Sequence, residues 1–447
     1  MDWYRHICIL ILIVPVFSRT FQYKMDIFNM FGFAYEVVGG ISNTVGLLNS
    51  LKNVFVVLGE SDTNGSSIPQ IQHEDVFLNI TELAEKYQYS IEVHTVTTED
   101  GYILSLHRIP KGRNSTRNDL VVLLMHGILD SSDSWILQGP NKSLGYILAE
   151  TGFDVWMGNA RGNKHSQLHR KLKSSEPEFW AFTWDEIGQF DIPSMIDYIL
   201  ETTRMKTLYY IGHSQGTTSF YVMLSLKPDY NNKVKMMFSL APVAWMSHVK
   251  SPIVKMFSPA NKILQYINTN AYSGSTKYFN TVTNIICNFL PIRCDSLLNL
   301  IIGYDFKHIN VSMLSIILGH MPSGSSTLQF VHFGQLVQSG RFCRYDRGNM
   351  KNLKVYGTKL PPDYDLSKIS VPIVLYYSGN DWLSDPRDVE ILENHLKVQT
   401  GNYIEDFNHL DYLFADTAKE LIYLSIIKQI YYYETQISVS LESVKCP

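Results

Sequence analysis

A chain of 447 residues holds one large catalytic domain with an insertion, or two domains. With 45% hydrophobic and 18% charged residues it carries a substantial core, which excludes a disordered chain. A net charge of −4, without any basic run interleaved with aromatics, excludes a nucleic-acid-binding surface.

Met1 to Thr20 reads as a secretory signal. Arg5 and His6 precede an apolar run, Ile7 to Phe17, that is too short to cross a bilayer and is interrupted by Pro15. Residues 1–19 are therefore assigned to a signal peptide, a retained anchor being the alternative, and secretion is expected. Sequons at Asn64, Asn79, Asn114, Asn141 and Asn310 agree with that route and imply glycosylation at surface positions. Cys8 lies in the signal. Of the remaining cysteines, Cys287 and Cys294 could close a small loop in an oxidising compartment, while Cys343 and Cys446 are too isolated to assign. Residues 20–73 form a leader without a readable pattern, ending in the linker-like Asp62 to Ser67.

From Glu74 onward β and α signals alternate. Ile91 to Thr97 and Tyr102 to Ile109 each alternate apolar and polar residues around Glu99-Asp100-Gly101, the pattern of a hairpin. Leu120 to Met125 is a continuous apolar run, expected of a strand buried on both faces, and it ends at His126-Gly127-Ile128-Leu129. A helix over Ser143 to Glu150 and a strand over Phe153 to Met157 follow. Thr183-Trp-Asp-Glu186 is a capping box that opens a helix toward Leu200, with a kink at Pro193. Leu208 to Ile211 reads as a strand, the chain then turns into a helix toward Leu226, and Lys235 to Leu240 is another strand.

Past Ala244 the rhythm stops. Pro259 to Ile267, Leu297 to Ile302 and Met313 to Leu318 look helical. Residues 245–369 are read as a mainly helical cap or lid inserted into a core of residues 74–244 and 370–435, the alternative being an independent second domain. The rhythm resumes with a strand at Pro372 to Tyr377, a helix opened by Asp385-Pro386 and running to Lys397, a short strand at Tyr403 to Phe407, and a helix from Thr417 to Tyr432. Residues 436–447 are left as a tail. The alternation implies an α/β fold: a mostly parallel central sheet with helices on both faces.

Gly212-His213-Ser214-Gln215-Gly216 is G-x-S-x-G between a strand and a helix. A serine hydroxyl attacks a carbonyl only when a sharp turn lifts it clear and a base takes its proton. Gly212 and Gly216 omit the Cβ atoms such a turn would crowd. The unpaired N–H groups of the new helix can face a developing oxyanion. Parallel strands gather functional groups at their carboxyl ends. Four ends here carry them: His126-Gly127-Ile128, Ser214, Asp381 and His409. Ser214 is the expected nucleophile, His409 the base and Asp381 the acid, with the N–H groups of Ile128 and Gln215 as oxyanion donors.

Each role has rivals. Asp385 already suits a helix cap, and Asp411 lies only two residues from His409. His213 sits inside the turn, His126 suits a supporting role, and His320, His332 and His395 fall on helices or their ends. Arg161 reads as a buried ion pair holding loops together. The chain has no H-E-x-x-H, paired C-x-x-C or EF-hand loop, so neither metal nor cofactor is expected.

At these residues the sequence resembles the acid lipases of the gastric and lysosomal type, in the α/β-hydrolase fold. The likeness runs from about Glu74 to Ile430. It rests on Thr98-Glu-Asp-Gly-Tyr-Ile103, His126-Gly-Ile-Leu129, Gly158-Asn-Ala-Arg-Gly-Asn163, Phe179-Trp-Ala-Phe182, Gly212-His-Ser-Gln-Gly-Thr-Thr218, Ala241-Pro-Val243, Ser378-Gly-Asn-Asp381 with Asp385-Pro386, and Asn408-His-Leu-Asp411. By resemblance Ser214, Asp381 and His409 form the triad, and Ile128 and Gln215 the oxyanion hole, with Ile128 standing where the family usually has leucine. The resemblance also implies a cap with a movable lid and a disulfide at Cys287 and Cys294, whose spacing is slightly closer here. Asn79, Asn141 and Asn310 fall at or near family sequons, whereas the leader has no counterpart. The implied activity is hydrolysis of fatty-acyl esters of neutral lipids, acylglycerols or sterol esters, at a lipid–water interface, with tolerance of acidic pH, by a protein that is secreted or, alternatively, lysosomal. No protein partner is implied. A secreted esterase for small soluble esters and a non-catalytic lipid-binding relative are the competing readings.

Overall fold

The computed structural model describes residues 74–113, 115–116, 120–257, 301–303 and 308–444. The expectations for the signal peptide, the leader, Asn64, Asn114, Cys287, Cys294, the helix Pro259 to Ile267 and most of Leu297 to Ile302 lie outside the described residues.

Among the described residues one sheet contains β1 (Glu92–Thr97), β2 (Tyr102–Ile109), β3 (Val121–Met125), β4 (Asp154–Gly158), β5 (Leu168–His169), β6 (Leu208–His213), β7 (Val234–Leu240), β8 (Ile373–Ser378) and β9 (Val398–Ile404). Its order is β1-β2-β4-β3-β6-β7-β8-β9, with the two-residue β5 paired to β2. β1 and β2 form the expected antiparallel hairpin, and β2 is antiparallel to β4. From β4 across to β9 every pairing is parallel, so these strands deliver their carboxyl ends to one edge.

The side chains of each central strand alternate between two faces, and both faces are covered. Val122 and Leu124 of β3 and Tyr209 and Ile211 of β6 join one core with α1 (Ile80–Lys86), α2 (Leu144–Glu150) and the C-terminal helix. Val121, Leu123 and Met125, with Leu208 and Tyr210, join the other core, with α3 (Ile192–Thr203) and α4 (Gln215–Leu226). A continuous apolar run such as Leu120 to Met125 is what such a strand needs, because each of its side chains leaves water.

Between β7 and β8 the chain leaves the sheet. The described part of this excursion holds α5 (Val311–His320), α6 (Thr327–Ser339) and α7 (Asn349–Tyr356). α5 contains the expected Met313 to Leu318, whereas α6 and α7 were not anticipated. The chain returns through β8 to α8 (Pro386–His395), where Asp385 caps the helix by accepting the Arg387 N–H at 3.0 Å.

Two expectations need correction, the position of the last strand and the end of the final helix. The last strand is Val398–Ile404, not Tyr403 to Phe407. It is an edge strand with mostly half-exposed or exposed residues, so Gln399, Thr400, Gly401 and Asn402 carry no apolar signal. The helix opened by the Thr183 capping box runs through Pro193, the position of the expected kink. Ile187–Asp191 makes a π-helical turn just before it, and α3 continues to Thr203. The final helix also continues well past Tyr432, as α9 (Leu424–Val444).

Candidate active site

The turn after β6 is built as the chemistry requires. Ser214 has φ 53° and ψ −121°, a strained backbone for a residue with a side chain. Its N–H donates to Leu240 O on β7 at 3.0 Å, and its carbonyl accepts the Thr217 hydroxyl at 2.7 Å, which pins the turn from both sides. A Cβ on Gly216 would stand 2.3 Å from Met125 O, and one on Gly212 would stand 2.9 Å from the Gly216 carbonyl carbon. The elbow therefore exists only because both positions lack a side chain.

Asp381 and His409 meet this serine. Asp381 is fully buried beyond β8, and its Oδ1 accepts the N–H groups of Leu383 and Ser384, each at 2.9 Å. His409 Nδ1 lies 2.9 Å from Oδ1 and 2.8 Å from Oδ2 of Asp381, and its Nε2 lies 2.7 Å from Ser214 Oγ. A carboxylate facing Nδ1 assigns the ring proton to that nitrogen, so Nε2 is free to accept from the serine hydroxyl. His213 steadies this histidine from behind, its Nε2 bonding the His409 carbonyl at 2.8 Å. Burial, with His409 close by, pulls His213 down to about 3, so it stays neutral. Asp385 is occupied elsewhere, paired to Arg387 and Lys250. Asp411 accepts the Asn408 N–H at 2.6 Å.

The loop after β3 supplies the other half. A Cβ on Gly127 would lie 3.1 Å from Ser214 Cβ, so the loop presses its backbone directly against the serine. His126 Nε2 accepts from Ala160 N–H and faces the Asn163 amide, each at 3.1 Å, which leaves Nδ1–H to donate to Gly127 O at 2.7 Å. That carbonyl belongs to the same peptide unit as the Ile128 N–H, so His126 fixes the direction in which this donor points. Burial lowers His126 to about 4, keeping it in the neutral tautomer this role requires. Among the described residues, neither the Ile128 nor the Gln215 N–H has a protein acceptor. Such an array can stabilise a negative oxygen beside a serine nucleophile.

Sequence reasoning missed the support behind this loop. Ser323 N–H donates to Leu129 O at 2.6 Å, and Leu129 holds a positive φ of 62°. His320 bonds Asp133 Oδ2 through Nδ1 at 2.9 Å and the Asp75 carbonyl through Nε2 at 2.8 Å. His165 and Lys164 reach the same Asp133 at 2.8 and 2.5 Å. Burial alone would raise Asp133, but the bonds from His165 and His320 and the charge of Lys164 hold it well below the usual carboxylate range. These partners lie far apart in sequence and match no motif. Arg161 is buried against Tyr102 and paired with Asp100 and Asp191.

Asn79, Asn141 and Asn310 are exposed, and Asn79 Oδ1 also caps α1. Among the described residues no group of metal-ligating side chains is present, and no helix is long and apolar enough to cross a membrane.

Comparison with known proteins agrees with this geometry. Residues 80–139 match the partial α/β-hydrolase lipase region, and residues 121–416 match the α/β-hydrolase fold. Lipase 1 of Drosophila melanogaster is 40% identical over 362 residues, covering 79% of this chain and 80% of the relative. The gastric triacylglycerol lipase of Rattus norvegicus is 36% identical over 361 residues, covering 79% and 91%. Lipase member K of Homo sapiens is 36% identical over 358 residues, covering 78% and 90%. With its elbow, its sheet order and relatives this similar over most of their length, the chain belongs to the α/β-hydrolase lipase family.

Proposed function

We propose that this chain hydrolyses fatty-acyl esters of neutral lipids, acylglycerols or sterol esters, through an acyl-enzyme on Ser214. The observation that carries the reading is the continuous relay from Ser214 Oγ through His409 to Asp381, with contacts of 2.7 to 2.9 Å. Ser214 Oγ attacks the ester carbonyl carbon as His409 Nε2 takes its proton. The carbonyl oxygen becomes an oxyanion facing the N–H groups of Ile128 and Gln215. On collapse the C–O bond to the alcohol breaks, and His409 returns the proton to that alcohol. Water, deprotonated by the same nitrogen, then attacks the acyl-serine, and the fatty acid leaves as Ser214 recovers its proton. Asp381 keeps Nδ1 protonated throughout and stabilises the imidazolium.

The lipid substrate is drawn from the relatives, two of which, from Rattus norvegicus and Bos taurus, are gastric triacylglycerol lipases. We read the protein as secreted, or alternatively lysosomal, with a signal at residues 1–19, glycans on its sequons, a Cys287–Cys294 disulfide, and residues 245–369 forming a cap. The exposure of Asn79, Asn141 and Asn310 supports the glycan assignment. The test is labelling with a fluorophosphonate together with a panel of emulsified long-chain and soluble short-chain esters. Ser214 should carry the adduct, and Ser214→Ala should abolish it. Turnover confined to short soluble esters would refute the lipid assignment, and an unlabelled Ser214 would refute the mechanism.

A further inference from the structure

α7 is built inside out. Its buried residue is polar: Asn352 is fully buried and donates to Asp346 Oδ1 and to Lys359 O, while the Tyr356 hydroxyl donates to Tyr345 O. Its apolar residues face water instead. Met350 is 74% exposed, Leu353 42%, Val355 56%, and Leu360 just beyond the helix 63%. A surface helix normally does the reverse, since exposed apolar area is unfavourable. Met350 and Leu353, three residues apart, adjoin on the helix, and Val355 stands further round it beyond Lys351 and Lys354. Exposed apolar side chains gathered on one short helix mark an interaction surface.

Charge identifies what it meets. Lys351, Lys354 and Lys359 stand exposed among these side chains, and none of them has a carboxylate within ion-pair distance among the described residues. From Arg341 to Lys368 the chain holds seven Lys and Arg against three Asp, within a protein of net charge −4. Arg344 and Arg347 are committed inward, to Asp185 and Glu186, so the cations left outward are the lysines around the apolar tips. Apolar side chains interleaved with unpaired cations on one exposed helix match an anionic lipid layer, the long lysine stems letting their charges reach the headgroups. The turn that leads into α7 is tied to α6. Gln335 of α6 bonds the Asp346 backbone through both its amide and its carbonyl, and Ser326, which caps α6, lies three residues past the Ser323 that holds the oxyanion loop.

We propose that α7 and Leu360 form a docking surface for an anionic lipid layer, separate from the catalytic groups and delivering the enzyme to its substrate. The proposal rests on the lipid-ester reading above and extends it. The test uses the full chain with vesicles of phosphatidylcholine, with and without phosphatidylserine, read by co-sedimentation. One variant combines Met350→Ser, Leu353→Ser and Val355→Ser; a second combines Lys351→Glu, Lys354→Glu and Lys359→Glu. Both should reduce partitioning onto the mixed vesicles at least about tenfold, and both should slow emulsion turnover. Both should keep wild-type turnover of a soluble short-chain ester, which shows that they fold. Wild-type partitioning by either variant would overturn the proposal, as would equal binding of the native chain to vesicles with and without phosphatidylserine. A native dimer in sedimentation velocity that the serine variant dissolves would also overturn it, assigning the patch to a second copy. Vesicle binding without any ester turnover or Ser214 labelling would instead refute the catalytic reading and leave the surface standing.

Discussion

Replacing Asp381 by asparagine should separate geometry from proton logic. Asp381 Oδ1 accepts two backbone N–H groups, from Leu383 and Ser384, while both carboxylate oxygens face His409 Nδ1. In Asp381→Asn the two N–H donors select the amide oxygen for their side, since an NH₂ group there would oppose them. The amide nitrogen then occupies the Oδ2 position, 2.8 Å from His409 Nδ1. A donor at that place forces Nδ1 to be an acceptor and moves the ring proton to Nε2. There it faces Ser214 Oγ and cannot take the serine's proton. The expected loss is on the order of 10⁴ in kcat, about 5 kcal/mol of transition-state stabilisation, with KM little changed. The assay is kcat and KM on a soluble ester, with thermal unfolding run in parallel to show that the fold survives. Retention of more than about a tenth of kcat, or an equal loss in Asp385→Asn, would refute the argument.

Asp385→Ala should spare most of the activity but cost roughly 1 kcal/mol through the lost cap of α8, read by denaturant unfolding. Burial alone would raise Asp385, yet Arg387, its backbone N–H and Lys250 pull it down to about 2. Because its folded value lies below its unfolded one, Asp385 adds stability above about pH 4 that fades as pH falls toward 2. Asp385→Asn, which keeps the cap, should flatten unfolding midpoints across that window; unchanged acid sensitivity would contradict this. Arg161→Met leaves Asp191 buried without its partner and should destabilise by about 3–5 kcal/mol in denaturant titrations. Gly216→Ala should fail to yield active protein, because its Cβ would stand 2.3 Å from Met125 O; normal fluorophosphonate labelling of Ser214 would contradict that.

The sequence made the central strands and two residues of the relay, Ser214 and Asp381, legible for one reason. β3, β6 and β8 are buried on both faces and so are written as unbroken apolar runs, and Ser214 and Asp381 follow within three residues of their ends. β9 was misplaced because an edge strand half in water has no such run, which left Tyr403 and Phe407 as the apparent signal. His409 was still found, through the Asn408-His-Leu-Asp411 resemblance and its place after the last strand. α6 and α7 escaped because neither has a readable apolar stripe: α6 buries Gln329 and His332 alongside Val331 and Leu336, and α7 turns its apolar residues outward. The Asp133, His320 and Ser323 contacts behind the oxyanion loop join positions nearly two hundred residues apart, which only a three-dimensional arrangement reveals.

The positive φ of Ser214 has an evolutionary side. Glycine at 214 would relieve the torsion that the hydroxyl-bearing residue endures, so the most comfortable occupant of the elbow is one that can perform no chemistry. A dead Ser214→Gly protein should consequently outlast the living one on heating. Lineages of this fold released from catalysis would then drift toward sturdier, silent descendants.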